Sequence, residues 1–196
     1  MSISRLVGAS LLLALIVAIP TTLMSQEPGP NEREVKTAPV RGGKSDVWTL
    51  DFRFKDPRII KAHIPGRGTR ICWYLWYQVI NRTAKPVRFQ PIFDLVTHDY
   101  PAVYQDESSL FTVEKEIRKL EDPHDYLKIK STYEIGLNLI PVSKPAEEAF
   151  PTTVTGMAIW DASPEDLKKR PAGKRDLSDC TQFSIFVRGL SNGYVV

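Results

Sequence analysis

Residues 70–81 read RICWYLWYQVIN, and the fold turns on how this stretch is read. As an extended strand it puts Ile71, Trp73, Leu75, Tyr77 and Val79 on one face and Cys72, Tyr74, Trp76, Gln78 and Ile80 on the other, because successive side chains point to opposite sides. Both faces are largely apolar. A strand of that kind sits in the middle of its sheet with material packed on both sides.

The same period of two runs outward from it. Upstream, VWTLDFRFK (47–55) alternates Trp48, Leu50, Phe52 and Phe54 with Thr49, Asp51 and Arg53, the pattern of a half-buried strand. Arg58 to Ile64 forms a second short segment, closed by the turn Pro65-Gly66-Arg67-Gly68. Downstream, Asn81 to Pro86 turns the chain into a strand from Val87 to Val96. Pro91 interrupts that strand, which places it at an edge or a bulge, since proline cannot donate to the ladder. Leu110 to Val113 reads as extended and 114–122 as a stretch able to form a helical turn, within an irregular region 98–131 expected to cover the aromatic strand. Further strands are expected at 132–140 (TYEIGLNLI), 154–160 (VTGMAIW) and 181–188 (TQFSIFVR), with a polar loop over 161–179.

About seven or eight short strands between Pro/Gly/Asn-rich turns predict an all-β fold. The expected form is an immunoglobulin-like β-sandwich, with a jelly roll or partial barrel as the alternative. Tyr194, Val195 and Val196 read as the start of another strand, so a short C-terminus, or a strand supplied by another chain, is part of the expectation.

Residues 1–25 read differently: Arg5, an uncharged apolar run from Leu6 to Ile19, then Pro20. A basic start, a short apolar stretch and a helix breaker predict a secretory signal peptide. The uncharged run continues to Ser25, and Leu23 occupies the position where a small residue would mark cleavage after Ser25, so an uncleaved N-terminal membrane anchor is the alternative. Either arrangement places the domain outside the cytoplasm, periplasmic, secreted or anchored, with membrane contact through the N-terminal segment alone. Residues 26–45 hold three prolines and almost no large apolar side chain, which predicts a disordered linker. The β-sandwich domain is expected over 46–196.

The quoted stretches, with DPR (56–58), IPGRG (64–68), TGMAIWD (155–161) and FVRGLSNGY (186–194), resemble uncharacterised exported bacterial proteins with an immunoglobulin-like core. The resemblance covers Val47 to the C-terminus. It implies that fold and no assigned active site.

Chemistry is sparse. Net charge is +3, and the basic cluster Lys168-Lys169-Arg170 with Lys174-Arg175 is interleaved with Glu165, Asp166 and Asp176. That is a solvated loop rather than the ordered basic stripe of a nucleic-acid surface. Of the histidines, His63, His98 and His124, no two share a metal-ligand spacing, and no cofactor is expected. No Gly-x-Ser-x-Gly sequence occurs, and the pairs Asp106-Glu107, Glu121-Asp122 and Glu147-Glu148 are adjacent carboxylates expected in solvated loops. No catalytic residue is assigned. Asn81-Arg82-Thr83 fits a glycosylation sequon.

Cys72 and Cys180 are candidates for a disulfide in an oxidising compartment. Strand parity supports the pairing: Cys180, extrapolated from the 181–188 strand, lies opposite the Phe183/Ile185/Val187 face, as Cys72 lies opposite Ile71 and Trp73. Two buried free thiols are the alternative.

The expected function is therefore non-enzymatic: interaction with a protein or glycan partner, or a structural role, at the cell envelope. A carbohydrate- or ligand-binding module using Tyr74 and Trp76 is the second reading, with core packing as their simpler role. An enzyme of unrecognised type is the third.

Overall fold

The computed structural model describes residues 31–35, 47–144, 149–162 and 177–193. The N-terminal apolar segment, most of the expected linker, the basic cluster at 168–175, Glu147-Glu148 and the C-terminal Tyr-Val-Val lie outside the described residues.

Among the described residues, eleven strands and two α-helices follow in the order β1 (Glu32–Val35), β2 (Asp51–Lys55), β3 (Arg58–Ile64), β4 (Gly68–Ile80), β5 (Val87–Arg88), β6 (Ile92–Thr97), β7 (Ala102–Gln105), α1 (Phe111–Glu121), β8 (Lys130–Ser131), α2 (Thr132–Leu137), β9 (Leu139–Ile140), β10 (Thr153–Asp161) and β11 (Phe183–Arg188). The fold is mostly β, arranged in several sheets. The main sheet runs β1-β2-β4-β10-β8, a three-stranded sheet runs β11-β6-β7, and β5 pairs β9.

The aromatic stretch is the hub. β4 is 13 residues long, and its length lets two strands share one edge. β3 pairs its first half from Gly68 to Tyr74, and β2 pairs its last four residues, Tyr77 to Ile80. β10 takes the whole opposite edge from Cys72 to Ile80. The β3–β4 hairpin closes where expected, with Arg67 N–H donating to the Ile64 carbonyl at 2.9 Å and Gly66 and Gly68 at φ 77° and 75°.

The two faces of β4 build two cores. Leu75, Tyr77 and Val79 pack with Phe52, Ala158 and Trp160 of the same sheet against Phe93 and Leu95 of the three-stranded sheet. Cys72, Tyr74 and Trp76 pack with Ala62, Met157 and Ile159 against Leu110, Val113, Ile117 and Ile129. The sheet is thus covered by strands on one side and by α1 on the other. The apolar positions of α1, Val113 and Ile117, recur at helical spacing, which is what turns one face of the helix to the sheet.

Three expectations are corrected here. Residues 132–137 form a helix rather than the opening of a strand. Ser131 caps it: its hydroxyl accepts the Glu134 N–H at 3.3 Å, and the Glu134 carboxylate accepts the Ser131 N–H at 2.7 Å. This reciprocal box satisfies two helix donors that a strand would have offered to a neighbour. The 111–121 segment is a full helix, not an irregular cover. Within the expected linker, Glu32–Val35 is ordered as β1, paired with β2 from Glu32↔Lys55 to Val35↔Phe52.

The sequon asparagine is fully buried. Its amide donates to the carbonyls of Lys85 and Ile140, both at 3.0 Å, and its carbonyl accepts the Thr83 N–H at 2.9 Å. Asn81 therefore pins the turn and offers no accessible nitrogen to a glycan in the folded domain.

Candidate functional site: an apolar groove between the sheets

The three-stranded sheet is narrower than the sheet beneath it. β7 lies over β10, where the Trp160 indole N–H donates to the Tyr104 carbonyl at 3.1 Å. β6 lies over β4, with Phe93 and Tyr77 ring centroids 4.8 Å apart. β11 lies beside it, Phe183 meeting Trp73 edge-on at 5.0 Å. Among the described residues no strand continues this upper layer over β1.

The space left there is a groove of about 680 Å³. Phe52, Phe54, Trp73 and Leu75 form its floor, Phe183, Ile185 and Val187 its wall, and Val35 and Leu190 also line it. Arg33 and Asp56 also line the groove, paired with each other at 3.1 Å and largely exposed. Register explains the lining: Phe52 and Phe54 pair Val79 and Tyr77, and Arg33 and Val35 pair Phe54 and Phe52, so all share one face. The groove has the size and apolar character of a ligand site.

Tyr74 and Trp76, the aromatic pair singled out from the sequence, are on the opposite face. They are 1% and 4% exposed beneath α1, so neither presents a ring face to a ligand. Instead they serve a charge cluster. The Glu121 carboxylate accepts the Tyr74 hydroxyl at 2.7 Å, Arg58 at 2.8 Å and Lys55 at 3.0 Å, and the Lys55 ammonium lies 4.4 Å from the Trp76 ring centroid. Burial works to raise the pKa of Glu121. The donors Tyr74 and Lys55 and the positive charges of Lys55 and Arg58 outweigh it and hold the carboxyl below its usual range. The cluster latches the end of α1 to β2, β3 and β4.

The two cysteines are not bonded, and they belong to different cores, Cys72 under α1 and Cys180 between the sheets. The parity argument for a bridge fails for a structural reason. β11 begins at Phe183, and Cys180 follows the short 3-10 turn Leu177–Asp179, so strand alternation does not reach it. Burial first, then the nearby Asp161 and Glu107 carboxylates, push the Cys72 thiol up to about 12, and the Cys180 thiol donates to the Gln182 carbonyl at 3.0 Å. Both thiols are protonated at neutral pH and shielded. Native protein at pH 8 is expected to leave Cys72 unmodified by iodoacetamide over an hour, whereas denatured, unreduced protein takes up two equivalents. A single species refractory to alkylation after denaturation would restore the bridge.

The histidines have separate partners. His98 Nε2 lies 2.8 Å from the Ser184 hydroxyl on the exposed side of the three-stranded sheet. His124 stacks near Tyr126, with centroids 5.5 Å apart. A Ser–His contact is half of a nucleophile–base arrangement. The adjacent Asp99, however, is committed to Thr181 and Gln182, accepting both of their backbone N–H groups. Among the described residues no group of three or more His, Cys, Asp or Glu could hold a metal ion.

Two carboxylate pairs expected in solvated loops are partly internal. The Glu121 side chain is 4% exposed and Asp122 is buried, and Asp122 organises the loop after α1 by accepting the N–H groups of Tyr126, Leu127 and Lys128. Asp106 accepts the Ile159 N–H at 2.6 Å on the β8-side edge of β10, beyond its pairing with β8. Burial pushes its carboxyl up to about 6, against the opposing pull of the Thr132 hydroxyl and the Ile159 N–H. A raised acid stabilises the fold fully below its unfolded pKa and loses that contribution as pH rises through the folded value. Asp106→Asn keeps an oxygen for Ile159 and cannot ionise. Its stability relative to the parent is expected to rise between pH 4 and pH 6 by up to about 3 kcal/mol, and to stay level above pH 7. Urea unfolding of both proteins across that range checks this; a difference independent of pH would refute it.

No family model, curated protein or solved structure matches the chain.

The groove residues lie on the face of β4 opposite Tyr74 and Trp76. The signal was present in the parity: Trp73 shares its face with Leu75, and Phe183, Ile185 and Val187 alternate on β11.

Proposed function

We propose that the chain is an exported, non-enzymatic β-sandwich protein that works by binding, and that its binding site is the groove between β11 and the β1–β2–β4 floor. One observation carries this: an open apolar cavity lined by aromatic and aliphatic side chains, in a domain whose other aromatic face is sealed by α1. Apolar surface left open on a soluble domain is normally used. An immunoglobulin-like sandwich is the finer description of this architecture that suits the reading, with the N-terminal apolar segment serving for export.

An anilinonaphthalene sulfonate dye is expected to bind saturably with one site per chain. Ile185→Glu, which places a charge in the wall, is expected to weaken that binding at least tenfold while leaving the circular dichroism spectrum unchanged. Non-saturable binding, or equal binding by the variant, would remove the groove as the site. A hydrolytic activity that survives purification would overturn the non-enzymatic reading. Intact mass of protein from cell fractions tests export: a soluble species starting near Gln26 or a full-length membrane species supports it, and full-length cytosolic protein does not.

A further inference from the structure

The wall of the groove is the free edge of a sheet, and the hydrogen-bond pattern shows which backbone groups it offers. His98 N–H donates to the Gln182 carbonyl at 2.8 Å, which makes these two a hydrogen-bonded pair. β11 and β6 continue antiparallel from there without a break, from Phe183↔Thr97 to Arg188↔Ile92. In such a ladder, hydrogen-bonded and non-hydrogen-bonded pairs alternate. Ser184, Phe186 and Arg188 therefore turn their backbone groups to β6. Phe183, Ile185 and Val187 turn theirs to the outer edge, where β11 has no strand neighbour among the described residues. The same three residues send their side chains into the groove. Donors, acceptors and apolar wall coincide.

The sheets' edges are guarded unequally. β1, at the edge of the main sheet, is EREV, three of its four residues charged. β11 is FSIFVR, with a charge at its last position alone and no proline. Charged side chains and prolines are the usual means of discouraging strand addition, so an edge without them, beside an apolar groove, is fitted to receive a strand. The groove lies above β1, on the side of β11 where a fourth strand of the upper sheet would run.

Resting on the groove as binding site, we propose that its ligand is an extended peptide segment of a partner protein that adds to β11 as a strand. Its apolar side chains, at every second position, fill the space over Phe54, Trp73 and Val35. Its backbone pairs with the N–H and C=O groups of Phe183, Ile185 and Val187. Those three residues span about 13 Å, so the segment engaged is about five residues long.

The test uses an acetylated, amidated peptide of alternating valine and threonine. Its control carries N-methyl groups on the residues that face β11. Both are titrated into the ¹⁵N-labelled full chain, with a fatty acid as a third probe. The expected result is that the unmodified peptide shifts the amides of Phe183, Ile185 and Val187 and slows their hydrogen exchange at least tenfold. The N-methylated peptide should bind at least tenfold more weakly. Equal binding by both peptides, or binding of the fatty acid alone, would leave the groove as a site and overturn strand addition. Protection of the three amides that grows with protein concentration without peptide would identify a second copy as the occupant, and would also overturn it. No binding by any probe would remove the groove reading itself.

Discussion

Trp76→Ala is expected to destabilise the domain by about 3–5 kcal/mol, measured as a fall in the urea midpoint followed by far-ultraviolet circular dichroism. The indole is 4% exposed and belongs to the core between β4 and α1, with Tyr74, Met157 and Ile117. Removing it leaves a cavity that α1 must collapse into or span, and α1 is held in place by Glu121 bonded to Tyr74, Arg58 and Lys55. That latch resists collapse, which puts the cost in the upper part of the range for large-to-small changes. Trp73→Ala is the informative contrast. Three positions earlier, on the other face, this indole is half-buried on the groove floor against Phe183. Its loss is expected to cost less than half as much stability and to weaken dye binding at least fivefold. If both variants lost stability equally, Trp73 would be core and the groove would be a packing defect. If Trp76→Ala cost under 1 kcal/mol, the α1 cover would not be a packed layer.

The sequence made the strands legible where alternation was clean. β2, β3 and β11 lie within stretches read as extended, and β4 and β10 overrun theirs by one or two residues, because apolar residues at every second position leave few other ways to bury them. The two helices were harder. Phe111–Glu121 carries its apolar residues sparsely, Val113 and Ile117 within a charged run, so its period was visible only once a partner face existed. TYEIGL alternates like a strand, and the deciding signal was local: Ser131 followed by Glu134, a capping pair whose hydrogen bonds outcompete a ladder. The groove was hidden for a different reason. Parity says which residues share a face, but not which sheet is wider, and the site exists because three strands lie over a broader floor. β1 widens that floor, and its charged, proline-flanked sequence reads as linker.

Gly156→Val is expected to be the most damaging single change to the sheet, costing more than 3 kcal/mol, in excess of ordinary overpacking. Gly156 sits in the middle of β10 opposite Tyr77, where glycine has no intrinsic advantage. What requires it is the Tyr77 ring lying across the strand: a Cβ at this position would come within 2.5 Å of Tyr77 Cζ and of Ile135 Cδ1, and within 2.7 Å of the Tyr77 hydroxyl. Neither neighbour is free to move. Tyr77 is fully buried, stacked on Phe52 at 5.3 Å and against Phe93 at 4.8 Å, and Ile135 is fully buried on α2. The strain would therefore pass in two directions, to the aromatic cluster beneath the three-stranded sheet and to the short helix that caps the β8 edge. Gly136→Ala provides the control, because a Cβ there meets nothing within 4 Å and the residue is in α2, where alanine is favoured over glycine by about 1 kcal/mol. Thermal unfolding is expected to show Gly136→Ala at or above the parent and Gly156→Val far below it. A tolerated valine at 156 would mean that the Tyr77 ring has another resting place. In that event, the close fit of β4 against β10, on which both the sealed face and the open groove depend, would not be the feature that organises the fold.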